Sequence, residues 1–302
     1  GTWREDPAAR RWHVFGQMKA HDRKGEKEWV GALVEDRESL FDLLHEPGIA
    51  WGLLPVLMRA FIWEEDLESA LSALEFLALT FKENGDRNHT VELVKAALTD
   101  LLAIVERREA EPENGPSSRE IIRRCRAVDG FADLPRETRV RFDLADGRAH
   151  RNTCDWEQAE ALFGAAVEQA DESSRLYSGA LTHLAWSRLR VRSGLELHPD
   201  PERPGRAEIA GILERACRER EKAGPEAFFS RGRLTYETKD YAKAKEDFDQ
   251  ALVLLRRNPR PAEKLVAKMR FFLSSAILAG GNREEAFTGA RLMDQPLDQV
   301  RP

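Results

Sequence analysis

"DWEQAEALFGAAVEQ" runs from Asp155 to Gln169, and "DYAKAKEDFDQALVL" runs from Asp240 to Leu254. Both read Asp, aromatic, two residues, Ala, three residues, Phe, two residues, Ala. Gly147 precedes the first phrase by eight residues and Gly232 precedes the second by eight. Six pairs therefore share one offset, 240 − 155 = 85 residues: Gly147/Gly232, Asp155/Asp240, Trp156/Tyr241, Ala159/Ala244, Phe163/Phe248 and Ala166/Ala251. One match of Ala to Ala would carry little. Six positions in one register, with a Gly and two aromatics among them, mark an internal repeat.

The residue types have a physical reading. A helix ends near Cys154 and a second begins near Trp156, with Asp155 at the turn as the expected N-cap. The two helices of such a hairpin cross closely, so small residues belong at the crossing: Gly147 on the first, Ala159 and Ala166 on the second. Phe163 and Phe248 fill the space between neighbouring hairpins. One hairpin cannot bury its apolar stripe alone, so it needs a neighbour.

Residues 140–173 and 225–258 resemble tetratricopeptide repeats, 34-residue helix–turn–helix units. The second is the closer match, with Phe228, Gly232, Tyr236, Asp240-Tyr241, Ala244, Phe248 and Ala251 in register. The first lacks the early aromatic and has His150 near the expected Tyr. The 85-residue offset exceeds two repeats by 17, so one repeat plus an insertion is expected between them. "SRLYSGALTHLAWSRLRVRSG" from Ser174 reads as its first helix and "GLELHPDPERPGR" from Gly194 as a Pro-rich loop. "AEIAGILERACRERE" from Ala207 reads as its second helix. A degenerate fourth hairpin follows, "AEKLVAKMRFFLSSAILAGGN" and then "REEAFTGARLMDQ". The resemblance covers about residues 137–300. It implies an all-α, right-handed superhelical array of antiparallel helix hairpins.

The N-terminal part reads as helical but less regular. "LESALSALEFLALTFKENGD" and "TVELVKAALTDLLAIVERRE" carry apolar residues on a period near 3.6. "AWGLLPVLMRAFIW" (Ala50–Trp63) is the most apolar segment, yet it is short and contains Arg59, so it reads as a buried helix rather than a membrane span. "AEPENGPSSRE" (Ala110–Glu120) combines Pro, Gly and Ser without an apolar anchor and reads as a linker. The expected division is an irregular helical region over 1–112 and a repeat array over 113–302, with an inserted loop near 194–206. Five of the seven tryptophans, Trp3, Trp12, Trp29, Trp51 and Trp63, precede the linker. That part has a bulkier core or an adhesive face.

Composition narrows the function. Charged residues make up 33% of the 302 and the net charge is −6, which argues against a bulk pull toward nucleic acid or anionic membrane. Arg outnumbers Lys, 36 to 11. Base composition of the genome explains that, as does a use of guanidinium groups for bidentate contacts. Three widely spaced cysteines do not form a disulfide framework, so a reducing, cytoplasmic setting is expected. The chain opens Gly-Thr-Trp without an initiator Met, so a piece of a longer protein is also an expectation.

The common nucleotide and catalytic signatures are absent from the sequence. His150 and Cys154 are four apart on one helix face, but a closed zinc site takes four ligands and no second pair is evident. "WEED" at Trp63–Asp66 and the pair Glu284-Glu285 read as helix-end charges that favour the helix dipole. No catalytic residue, metal or cofactor is expected. In the resembled family the first helix of each hairpin lines a groove that grips peptides or partner helices. That implies groove positions at Arg141, Leu144, Arg148, Arg151 and Asn152, and at Glu226, Phe229, Arg233, Tyr236 and Glu237, with Trp186 between. Arg148, Arg151 and Arg233 beside Trp186, Phe229 and Tyr236 suit an acidic peptide or a chain carboxylate. The same arginines also suit pairing with acids of adjacent repeats. The family's carboxylate-clamp pattern is not reproduced, because Leu144, Ser178 and Ser230 stand where its polar cations and amides belong. A protein-binding scaffold is the leading expectation. A regulatory part of a larger protease or NTPase and an Arg-based nucleic-acid binder remain open beside it.

Overall fold

The computed structural model describes residues 13–18, 20, 53, 56–62, 66–84, 87–108, 115–193, 205–218, 222–257 and 263–280. The described residues are helical, with no strand among them. The helices are α1 (Leu67–Asn84), α2 (Arg87–Arg107), α3 (Ser118–Ala127), α4 (Arg136–Asn152) and α5 (Trp156–Gln169), followed by α6 (Arg175–Ser193), α7 (Arg206–Cys217), α8 (Pro225–Glu237), α9 (Tyr241–Arg256) and α10 (Glu263–Gly280). The chain falls into two compact units, Gly1–Ala145 and Asp146–Pro302. None of the described helices is long and apolar enough to cross a membrane.

In the first unit α1, α2 and α3 pack on one another. Their apolar stripes meet at Leu71, Leu74, Leu98, Leu101, Ile121, Ile122 and Cys125, all fully buried. Phe142 joins this core and meets Phe131 edge-on at 5.1 Å between ring centroids. Arg124 ties α3 to α1 through Glu75 (Nε to Oε1, 2.6 Å) and Glu68 (2.6 Å). The segment around Met58 reads correctly as buried helix: Leu53, Val56, Met58 and Ala60 have 2% exposure or less.

One expectation is corrected here. The stretch Ala110–Glu120, read as a linker throughout, is helical from Ser118 onward. The Ser117 hydroxyl accepts from the Glu120 backbone N–H at 3.1 Å, and Ser118 is buried. The Ser-rich run is thus a helix cap, because Ser competes for backbone donors at an N-terminus as readily as in a loop.

In the second unit the successive pairs α5–α6, α6–α7, α7–α8, α8–α9 and α9–α10 pack together, and α6–α8 and α8–α10 touch as well. The register of 85 residues holds at atomic detail. A Cβ on Gly147 would stand 2.6 Å from the Phe163 ring, and one on Gly232 would stand 2.7 Å from the Phe248 ring. Ala159, Phe163 and Ala166 are fully buried, as are Ala244, Phe248 and Ala251.

The turns match too. Cys154 and Lys239 both take left-handed backbone conformations, at φ 61° and 64°. Asp155 N–H donates to His150 O and Asp240 N–H to Thr235 O, each at 3.0 Å. Cys154 N–H and Lys239 N–H reach Arg151 O and Tyr236 O at the same length. This is the helix-ending motif in which a left-handed residue lets two donors close on orphan carbonyls.

The two capping aspartates differ. Asp240 Oδ1 accepts from Lys243 N–H at 3.2 Å. Asp155 makes no side-chain cap, contrary to the sequence expectation. Its carboxylate is taken by His150 Nδ1 at 2.8 Å, one turn back on α4. His150 stands where the second good repeat has Thr235, whose hydroxyl turns back to its own helix.

The inserted loop bounded by Gly194 and Arg206 lies outside the described residues up to Pro204, with α6 and α7 packed together on either side of it. The second helix of the fourth hairpin and the five N-terminal tryptophans also lie outside them. Cys125, Cys154 and Cys217 are free thiols, the first and last buried and the middle one exposed.

Candidate functional site

The expected site residues sit on α4, α6 and α8, and they separate into two neighbouring groups. The first group centres on His183 of α6. Its ring stacks on Phe163 at 5.0 Å between centroids. Arg151 Nη1 donates to His183 Nδ1 at 3.2 Å, since a guanidinium can only donate. Burial, then the nearby Arg151 and Arg148 charges, push the His183 pKa down to about 3, so the imidazole is neutral. Burial, then Arg148, also lowers the Arg151 pKa. Asn152 is exposed at the end of α4.

The second group lies one turn further along α6. Trp186 Nε1 donates to Ser230 Oγ of α8 at 2.7 Å. The Arg233 guanidinium lies over the Trp186 ring at 4.6 Å and over Phe272 of α10 at 5.3 Å. Tyr236 meets Phe272 edge-on at 6.2 Å and Tyr241 at 5.4 Å. Phe229 is 7% exposed and packs on Phe248 and Phe272, so its ring belongs to the interior between α8, α9 and α10. Lys268 Nζ stands 5.7 Å from the Phe229 ring centroid. Phe271, 57% exposed, stands edge-on to Phe272.

The two groups are versions of one arrangement. Arg151 and Tyr236 are 85 apart, as are Arg148 and Arg233. His183 receives Phe163 and Arg151 where Phe272 receives Phe248 and Tyr236. Each case places a ring from the next hairpin over the Phe of the preceding one.

The charges around Arg233 are the informative feature. Several arginines elsewhere in the described residues meet carboxylates. Arg141 pairs with Glu106, Arg126 with Asp143, Arg188 with Glu160 and Glu208, Arg206 with Glu237, and Arg231 with Asp247. Among the described residues, Arg190, Arg233 and Lys268 have no carboxylate at ion-pair distance. Arg233 Nε is buried without a hydrogen-bond partner there. Desolvation lowers the pKa of Arg233, with Glu237 opposing and Arg190 adding to the shift. Desolvation, then Arg233, lowers that of Lys268. Guanidinium groups do not give up their protons, so Arg233 stays charged in this half-buried place.

Sequence reasoning missed Arg190, Lys268, Phe272 and His183. The signal for Phe272 was the "FF" pair in a first helix, but the fourth hairpin was too degenerate to set its register. Two positions where a clamp cation or amide was sought have other duties. Leu144 is buried, and Ser230 holds Trp186. His150 lies between Asp155 and Asp146 (Nε2 to Oδ1, 3.6 Å), and no group of three or more His, Cys, Asp and Glu among the described residues could hold a metal. No protein-family model matches the chain, and no curated protein matches it significantly.

Proposed function

We propose that helices α4–α10 form a TPR-like right-handed superhelical array. In this reading it works as a non-enzymatic protein–protein interaction scaffold, and the face lined by α6, α8 and α10 holds an acidic segment of a partner protein. One observation carries this reading: Arg233 lies between the Trp186 and Phe272 rings, with Lys268 over Phe229 beside it, and neither cation has a carboxylate within ion-pair distance among the described residues. A partner carboxylate would accept from a guanidinium already held between two rings, so little side-chain freedom is lost on binding. The exposed ring of Phe271 offers apolar area beside it.

The test is fluorescence anisotropy with labelled Asp/Glu-rich peptides against the 302-residue chain. Arg233→Met keeps an apolar stem between Trp186 and Phe272 while removing the charge, and Lys268→Met does the same at its position. Each should weaken binding about tenfold, the effect of losing one charge-assisted contact of roughly 1.4 kcal/mol, without lowering the melting temperature. Binding of equal strength by parent and both variants would overturn the proposal. So would a preference for neutral peptides.

A further inference from the structure

A second basic site lies at the other end of α6. A cavity of about 240 Å³ opens between the α5–α6 turn, the first turn of α6, the last turn of α7 and the approach to α8. Glu172, Tyr177, Arg215, Arg218 and Lys222 line it, with the Ser174 and Ser178 hydroxyls. Tyr177 precedes Trp186 by nine residues, roughly 14 Å of helix rise, so the cavity shares no residue with the α6–α8–α10 face.

Both serine hydroxyls already serve the fold. Ser174 Oγ donates to Asp171 O at 2.7 Å and accepts from Tyr177 N–H at 3.2 Å. Ser178 Oγ donates to Ala216 O at 2.8 Å. Of the remaining polar groups, Tyr177, Arg215, Arg218 and Glu172 keep hydrogen-bonding capacity among the described residues. Arg215 Nη2 donates to the Tyr177 hydroxyl oxygen, and its guanidinium lies 5.9 Å from that ring centroid. This fixes the guanidinium and leaves its other N–H groups without partners among the described residues. The Tyr177 O–H proton is likewise left to donate. Arg218 and Glu172 make no hydrogen bond or ion pair among the described residues, and Lys222 brings a third cation to the wall.

We propose that this cavity binds a phosphate monoester carrying an amine or hydroxyl donor beside the phosphate. Such a group bears close to two negative charges at neutral pH and three strong acceptor oxygens. It can therefore engage Arg215, Arg218 and the Tyr177 O–H together, where a carboxylate would leave donors unmet. The N-terminal end of α6 adds favourable potential at the same wall. Glu172 repels a bare anion and accepts from the ligand's donor, so it selects a phosphate with an adjacent amine or hydroxyl over inorganic phosphate. The chemistry occurs in a free phosphorylated metabolite, and also in a phosphorylated side chain of a protein, where a neighbouring backbone N–H takes the donor's place.

The experiment is isothermal titration of the full chain with inorganic phosphate, with O-phospho-L-serine and with a peptide carrying one internal phosphoserine. Saturable binding of phosphoserine tighter than of inorganic phosphate is expected. Arg218→Ala, at a side chain with no hydrogen bond or ion pair among the described residues, should weaken it roughly tenfold, and Arg215→Gln by more. Glu172→Gln should tighten inorganic phosphate several-fold and so narrow the gap between the two ligands. Tighter binding of the free amino acid identifies a metabolite site, and tighter binding of the peptide identifies a phosphoprotein site. Absence of saturable binding by all three probes overturns the proposal. Saturable binding that is indifferent to both Arg218→Ala and Glu172→Gln overturns it as well. The groove residues take no part, so either result leaves the acidic-segment reading to its own test.

Discussion

Gly232 lies so close under Phe248 that a single methyl group on it would sit 2.7 Å from the ring, and Gly147 stands in the same relation to Phe163. Both rings are fully buried, so they can retreat only by displacing the side chains packed around them. Gly232→Ala or Gly147→Ala should therefore cost about 1–3 kcal/mol by overpacking. Phe163→Ala or Phe248→Ala should cost about 3–5 kcal/mol through the cavity left behind. Gly164, in the interior of α5 with nothing within 4 Å of its added Cβ, gives the control. Gly164→Ala should stabilise by about 0.5–1 kcal/mol, because alanine loses less backbone entropy in a helix. Urea unfolding of the five variants checks the set, and equal behaviour of Gly164→Ala and Gly232→Ala would contradict it.

The left-handed turns give a stabilising prediction. Cys154 and Lys239 hold positive φ with a side chain attached. Cys154→Gly and Lys239→Gly should each raise stability by about 0.5–1 kcal/mol, because a glycine without Cβ takes the left-handed conformation free of clash, and this outweighs its greater freedom when unfolded. Cys154→Val should lower it, since a β-branched side chain tolerates the conformation worst. Melting temperatures of the three variants provide the measurement.

His183 makes the fold sensitive to acid. Its pKa is pushed down to about 3 by burial first and by Arg151 and Arg148 next, while an unfolded histidine titrates near 6.5. Protons thus bind the unfolded chain more readily. The contribution of the neutral ring is present in full above about pH 6.5 and is lost as pH falls toward about 3, by at most about 1.4 kcal/mol per pH unit. His183→Phe, which copies the ring found at Phe272, should flatten the decline in melting temperature between about pH 6.5 and pH 4. An unchanged slope would show that other groups set it.

Arg231 and Arg233 are two residues apart and should respond oppositely. Arg231 meets Asp247 through Nε at 3.0 Å and Nη2 at 2.6 Å, and Asp247 is 3% exposed. Arg231→Met leaves a buried carboxylate without its cation and should cost about 3–5 kcal/mol. Adding Asp247→Leu should recover most of that loss, because the pair rather than either charge is tolerated in the interior. Arg233→Met removes no ion pair among the described residues and should leave stability within about 0.5 kcal/mol of the parent. Chemical denaturation of the four proteins decides it.

The sequence by itself determined the helix hairpins of the second unit. Gly147, Phe163, Gly232 and Phe248 recur because two helices can cross closely only where one of them lacks a side chain, and that demand is local enough to read in a single register. The turn at Asp155 was legible in position but not in chemistry. An aspartate marks a cap, and only the neighbouring His150 decides whether its carboxylate serves the backbone or the ring. The Ser-rich stretch before Ser118 was misread for a related reason, since the same residues cap helices and fill loops. The candidate binding face was legible in part, at Arg233, Trp186 and Tyr236. Only tertiary structure separated Arg231, which pairs with Asp247, from Arg233, which lies between Trp186 and Phe272. Residues so close in sequence differ in charge environment because they face different neighbouring helices. The partners that set those environments lie 16 to 47 positions away, from Arg231 to Asp247 and from Arg233 back to Trp186.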